Sequence, residues 1–400
     1  MLLKTKGIPH LVSESIIGKV TRNPNYRPEA VEDQPILIVE GGMTNNAFHN
    51  GPYYSGRFQA ILSTSIRPLT ESIPSIFSVG TFDHLHDDDI IIVHEDGSIH
   101  TLYRPQSKQN FLLFTERCNS NCLMCSQPPK DRDDTDYYYN LYKRLVPIIP
   151  KDCFELGITG GEPTLLGNRF FELLQLIKAE LPDTEIHCLT NGRSFAWKNA
   201  ANRLGALHYE RMMLGIPLYA DNYQTHDHVV QARHAFNQTM QGLYNLAATN
   251  QRCEIRVVLH QLTIPRLTKL ARFIYKNLPF VEHVAFMGLE YQGYTPHNIK
   301  KLWIDPALYM NELGEAAEYL SQMGMNVSIY NSQLCVMPKH LWKYNKKSIS
   351  DWKNIYLDVC NRCAMINECG GLFASCANMH SEGLRPFDAS TANACDLSLG

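Results

Sequence analysis

The passage Phe111-Leu112-Leu113-Phe114-Thr115-Glu116-Arg117-Cys118-Asn119-Ser120-Asn121-Cys122-Leu123-Met124-Cys125 organises the reading of the rest of the chain. Its first five residues, apolar except for Thr115, read as a short buried strand, and three cysteines follow at once in C-x3-C-x2-C spacing. A cube of iron and sulfide has four corners, usually held by thiolate, so a loop carrying Cys118, Cys122 and Cys125 fills three and leaves one iron open. Zinc is the alternative ligand, but zinc sites favour paired C-x2-C units or histidines at matched spacing, and neither stands close to this loop. In barrels of βα units the loops after the strands form the active face.

Downstream, short apolar runs alternate with helical patterns, the mark of repeated βα units and a parallel sheet. The expected strands are 111–115, 154–159, 185–189, 213–218, 254–259 and 283–288. Phe170, Leu173, Leu174 and Ile177, and again Leu267, Leu270 and Ile274, recur at helical spacing and predict helices that cover the sheet. A further helix is expected from Pro306 to about Met323, with Asp305 as its N-cap, followed by an extended run at 327–330. Upstream, residues 1–108 show short β-like pieces at 36–39, 59–62 and 90–93 with no helical alternation, and Asp96-Gly97 predicts a hairpin turn.

At 400 residues and 44% hydrophobic the chain is large enough for a sizeable core, and a formal charge of −3 recommends neither nucleic acid nor an anionic membrane as partner. No apolar run has the length of a signal segment or a membrane span, so the expected location is cytoplasmic. Of twelve cysteines, Cys153, Cys188 and Cys253 stand alone in apolar segments and read as small buried hydrophobes. Near the C-terminus Cys360, Cys363 and Cys369 make a C-x2-C-x5-C array, with Cys335 upstream as a possible fourth ligand. Four thiolates would close a second iron-sulfur cluster completely; a structural zinc ion suits the same set. Cys376 and Cys395 are spare thiols or an alternative ligand pair.

The strand at 154–159 runs into Gly160-Gly161-Glu162-Pro163, where the glycines permit close backbone approach and the carboxylate suits a cation. This turn, together with the cysteine loop, resembles the radical S-adenosylmethionine superfamily over residues 111–288. The resemblance implies a partial (β/α)6 TIM-like barrel at 109–332, flanked by a small β-rich domain at 1–108 and a cysteine-rich segment at 333–400. It also implies a 4Fe-4S cluster whose open iron takes the amino and carboxylate groups of S-adenosylmethionine, with Gly160, Gly161, Glu162 and Pro163 around the methionyl ammonium. Asn191, in the turn Thr190-Asn191-Gly192-Arg193, is similar to the family's third-strand turn and is a candidate ligand contact; the plain reading is a glycine turn. Arg256, if it points inward, would bind the carboxylate of S-adenosylmethionine or of a substrate, or make a structural ion pair. His226-Asp227-His228 reads as a capped helix start rather than a metal cluster.

The C-terminal array resembles SPASM or twitch auxiliary-cluster segments, with one auxiliary 4Fe-4S cluster expected. A finer resemblance rests on Ile90 to Val93, Asp96 to Ile99, Leu102 to Pro105, Cys118 to Pro129, Met287 to Glu290 and Ser348 to Trp352, which look like the His-Xaa-Ser system maturases. That family implies a precursor peptide or small protein substrate, companion maturation proteins and a low-potential electron donor such as flavodoxin or ferredoxin. A radical enzyme acting on a small molecule and a non-catalytic iron-sulfur or zinc module are the other readings.

Overall fold

The computed structural model describes residues 3–31, 34–40, 56–347 and 353–388; Ser348 to Trp352 and Cys395 lie outside them. Contacts divide the chain into two compact units, one of residues 1–112, 140–154 and 180–183, the other of 113–139, 155–179 and 184–400.

The first unit holds strands β1 (Lys4–Lys6), β2 (Ile8–His10), β3 (Ile16–Thr21), β4 (Ile36–Val39), β5 (Ala60–Ser63), β6 (Ser75–Phe77), β7 (Ile90–Val93) and β8 (Ser98–Tyr103) in the order β1-β8-β7-β3-β4-β5-β6-β2. β4 is buried along its whole length because the period of two sends Ile36 and Ile38 to one apolar cluster and Leu37 and Val39 to another. β7 and β8 form the hairpin expected at Asp96-Gly97: His94 N–H donates to Ser98 O (2.8 Å), Gly97 N–H donates to His94 O (2.9 Å), and Gly97 takes φ 81°.

A second eight-stranded sheet begins at β9 (Asn110–Leu113) and continues through β10 (Glu155–Thr159), β11 (Glu185–Leu189), β12 (Met212–Pro217), β13 (Arg252–Val258), β14 (His283–Met287), β15 (Asn326–Tyr330) and β16 (Asn345–Lys346). Neighbours from β10 to β16 pair in parallel. The sheet is therefore two strands larger than the six-unit expectation. β15 prolongs it because Val284↔Val327 and Phe286↔Ile329 continue the buried rows of β14, and β16 adds a short edge through Tyr330↔Lys346. The order is linear, with β9 and β16 at its ends, so the sheet is open.

Helices α1 (Thr135–Leu145), α2 (Asn168–Glu180), α3 (Lys198–Gly205), α4 (Tyr223–Val230), α5 (Ala235–Ala248), α6 (Leu267–Asn277), α7 (Thr295–Leu302) and α8 (Met310–Gln322) connect the strands. α6 buries Leu267, Leu270, Ala271 and Ile274, one face at i, i+3, i+4 and i+7. The helix expected from Pro306 starts later than the sequence suggests: Asp305 accepts from Ala307 N–H (2.9 Å) but caps a single 3-10 turn at Pro306–Leu308, and α8 begins at Met310. His226-Asp227-His228 likewise sits inside α4, whose cap is Asn222, accepting from Thr225 N–H at 3.0 Å. Cys188 and Cys253 are fully buried in β11 and β13, and Cys153 is buried in the first unit. Among the described residues no helix is long and apolar enough to cross a membrane.

Candidate functional site

Residues 114–125 leave β9 and form a loop held from four sides. At its base the buried Asp134 carboxylate accepts from Thr115 Oγ1 (2.5 Å) and Glu116 N–H (2.7 Å). Along one edge Gly161 N–H donates to Thr115 O (2.8 Å) and Glu162 N–H donates to Arg117 O (2.7 Å), so the glycine turn lies against the chain just before Cys118. A Cβ on Gly161 would stand 2.0 Å from Arg117 O and one on Gly160 2.5 Å from Thr115 O, and only glycine permits this approach.

On a second side Asn121 and Leu123 donate their N–H groups to Val230 O (3.0 Å) and Val229 O (2.9 Å), the carbonyls that the end of α4 leaves without helical partners. On a third, Tyr294 N–H donates to Cys125 O (2.9 Å) and Asn298 Nδ2 donates to Leu123 O (2.9 Å). Gly293, at φ 64°, makes that approach possible, since a Cβ there would meet Cys125 O at 2.2 Å. The fourth contact is Arg193, which donates to Asn119 O and to Ser120 Oγ (2.9 Å) while its Nε donates to Gln238 Oε1 (2.7 Å).

Cys118, Cys122 and Cys125 share this braced loop. Burial first, and the Glu162 carboxylate second, push the Cys118 thiol up to about 11. Burial raises Cys122 further, with the neighbouring thiols adding to it, and burial also raises Cys125. Half-buried thiols raised in this way ionise more readily beside a cationic centre, and the set could hold an iron-sulfur cube at three corners.

The structure brings Asn191 and Glu162 together. Both carboxylate oxygens of the fully buried Glu162 are occupied by its own chain: Thr164 N–H (3.1 Å), Thr164 Oγ1 (2.7 Å) and Thr190 Oγ1 (2.7 Å) donate to one, Asn191 N–H (2.7 Å) to the other. Glu162 thus ties the β10 turn to the β11 turn. Asn191 Nδ2 donates to Asn119 Oδ1 (2.6 Å), which sets that side chain beside the cysteine loop.

Arg256 points inward, and of its two expected partners the structure shows the ion pair. Nη1 stands 2.9 Å from Glu254 Oε1 and Nη2 contacts Met287 Sδ at 2.9 Å. Glu254 also pairs with His283 Nδ1 (2.6 Å); burial alone would raise its carboxyl, but hydrogen bonds from His187 and His283 and the charge of Arg256 hold it well below the usual range.

Cys335, Cys360, Cys363 and Cys369 line one cavity with apolar walls that include Leu334, Met365 and Phe387. Backbone N–H groups point at two sulfurs, Phe387 to Cys363 Sγ (3.3 Å) and Gly371 to Cys369 Sγ (3.5 Å). Cys376 lies apart, its Sγ accepting from Tyr291 N–H at 3.4 Å. Among the described residues no three His, Cys, Asp or Glu side chains converge as a single metal ion requires.

Sequence reasoning passed over Arg193, Gly293 and Asn298. Arg193 stood within the quoted turn and was the one cation there; Gly293 and Asn298 come from a loop and helix after β14 that carry no motif.

Several solved structures resemble parts of the chain. One is described as native anSMEcpe with bound AdoMet and Cp18Cys peptide, with 18% identity, 55% of this chain and 62% of that one covered, and a TM-score of 0.42. Coproporphyrinogen III oxidase (HemN) from Escherichia coli matches at 13% identity over 55% of this chain and 54% of that one, TM-score 0.41. A radical SAM methyltransferase from Sphaerobacter thermophilus matches at 14% over 62% and 74%, TM-score 0.40. The chain thus spans less than two thirds of the first of these. No curated protein matches. Residues 112–274 match the family model described as the radical SAM superfamily. That stretch carries the three-cysteine loop, the glycine-rich turn and strands β10 to β13.

Proposed function

We propose that this protein is a peptide-modifying radical enzyme that cleaves S-adenosylmethionine reductively and removes hydrogen from a ribosomally made substrate of the His-Xaa-Ser type, leaving a modified or cross-linked side chain. The observation that carries the enzymatic part is the three-cysteine loop braced by the glycine turn, Arg193 and Gly293 at the end of the first barrel strand. In this reading Cys118, Cys122 and Cys125 hold a 4Fe-4S cluster. When bound and reduced, that cluster supplies the electron that splits a carbon-sulfur bond of S-adenosylmethionine. Gly160 and Gly161 keep the backbone close to the loop, and Asn191 presents its amide beside it. Arg256 stays with Glu254 and positions the barrel interior.

Residues 333–400 form the auxiliary segment in this reading, with Cys335, Cys360, Cys363 and Cys369 around one further cluster. All four cysteines line one cavity, which brings a complete thiolate set to one place. The peptide substrate rests on the sequence resemblance and on this second cysteine site.

Anaerobic reduction of the iron-loaded chain with S-adenosylmethionine is expected to yield 5′-deoxyadenosine, and Cys122→Ala to yield none; an inactive iron-replete parent would refute the enzymatic reading. Co-expression with a candidate precursor peptide then tests the substrate: its mass and fragmentation change if the reading holds and stay the same if it does not.

A further inference from the structure

The charges around the cysteine loop are not all balanced where they sit. Glu116 pairs with Lys130 (2.5 Å) and with Arg132, and Arg117 pairs with Asp133 (3.5 Å). The buried carboxylates of Asp134 and Glu162 instead accept from hydroxyl and backbone N–H groups, which leave their negative charge in place. Arg193 is their counterpart. Its donors go to Asn119 O, Ser120 Oγ (2.9 Å) and Gln238 Oε1 (2.7 Å), and all three acceptors are neutral. An undiminished positive charge therefore rests on the two residues that follow Cys118 and lead to Cys122.

The guanidinium is fixed from two directions. Behind it α5 lies against the β11 turn, an approach that Gly242 permits because a Cβ there would stand 2.2 Å from Gly192 O. Thr239 Oγ1 of the same helix donates to Asn191 O (3.0 Å), and Gln238, one position earlier, holds Arg193 Nε. In front, Asn191 joins turn to loop: its Oδ1 accepts from Arg193 N–H (3.0 Å) and its Nδ2 donates to Asn119 Oδ1 (2.6 Å).

A neutral donor would brace Asn119 and Ser120 as well, but a fixed cation does more. A cluster that gains one electron becomes more negative by one charge, and a positive charge held beside its ligand loop stabilises that reduced form. Arg193 is half-buried, so solvent ions screen it less than they screen a surface charge. We propose that Arg193 sets the reduction potential of the cluster held by Cys118, Cys122 and Cys125, its guanidinium favouring the one-electron-reduced form against the two buried carboxylates. The assignment rests on the enzymatic reading above and adds to it the residue that controls how readily the cluster accepts its electron.

The test is an anaerobic redox titration of the full, iron-loaded chain followed by electron paramagnetic resonance. Only the cluster signal that S-adenosylmethionine perturbs is read, so a C-terminal cluster is not counted. Gln238→Glu is the sharpest variant, because it keeps Arg193 on the loop and sets a carboxylate against its Nε. Its reduced fraction at a fixed potential is expected to fall about tenfold, equivalent to ~59 mV for one electron. Arg193→Gln, which keeps a donor but not the charge, is expected to fall by at least about as much, and Arg193→Lys, which keeps the charge but not the fork, to stay within about threefold of the parent. An unshifted potential in Gln238→Glu overturns the assignment. So does Arg193→Lys shifted as far as Arg193→Gln, which would make Arg193 a brace alone. Should the Arg193 variants fail to take up iron, Gln238→Glu decides by itself. An iron-replete parent with no signal responsive to S-adenosylmethionine refutes the enzymatic reading and this assignment together, whereas a responsive signal with an unmoved potential in Gln238→Glu refutes this assignment alone.

Discussion

Single residues set the geometry of the cysteine loop, and two of them make sharp tests. Glu162→Gln places an amide N–H against the Asn191 N–H that the carboxylate now accepts, in a fully buried position. A loss of about 1–3 kcal/mol is expected in urea unfolding, and an unchanged midpoint would show that the β10 and β11 turns do not depend on it. Gly293→Ala combines a positive φ with a Cβ 2.2 Å from Cys125 O, so Cys125 must move. Lower iron per chain after identical reconstitution is the expected result. The sequence revealed Cys118, Cys122, Cys125 and the glycine pair because their spacing is itself the chemistry. It concealed Gly293, because a backbone held at positive φ has no signature until the chain around it is in place.

At the scale of elements, strands buried on both faces were legible as apolar runs, and seven of the eight strands of the second sheet fall within two residues of their expected bounds. β16 was not: two residues, Asn345 and Lys346, carry no period to read. α4 starts earlier than His226-Asp227-His228 suggests because the Asn222 side chain, four residues upstream, makes the cap. His226 is in fact buried, stacked on Tyr219 with ring centroids 5.7 Å apart, and Tyr219 lies 6.2 Å from His260. Burial lowers His226 to about 4 and His260 to about 3, from 6.5. Below pH 6.5 the unfolded chain therefore binds protons that the folded chain does not, and stability falls as pH drops from 6.5 toward 4, with no contribution from either group above that range. Thermal midpoints across that window would show the slope; a flat profile would mean these imidazoles are not buried neutral.

For the molecule as a whole, nine of the twelve cysteines divide into three uses. Three thiols share the barrel loop, four share the C-terminal cavity, and Cys188 and Cys253 are sheet core. If both sites hold clusters, Cys363→Ala is expected to lower bound iron by about half relative to the parent, with little zinc in either. Equimolar zinc in the parent would reassign the C-terminal site. The parallel sheet and its loop were readable because βα architecture repeats one pattern; the described residues between 333 and 388 were not, since their 3-10 turns and two-residue strands carry no period.

The bonds from Asn121 and Leu123 to the last carbonyls of α4 have a dynamic consequence. A helix end that would ordinarily fray is clamped by the loop it supports, so the two open as one cooperative unit. Amide hydrogen exchange should report this as matched protection of Asn121, Leu123 and the final turn of α4, rising together when the loop takes up iron.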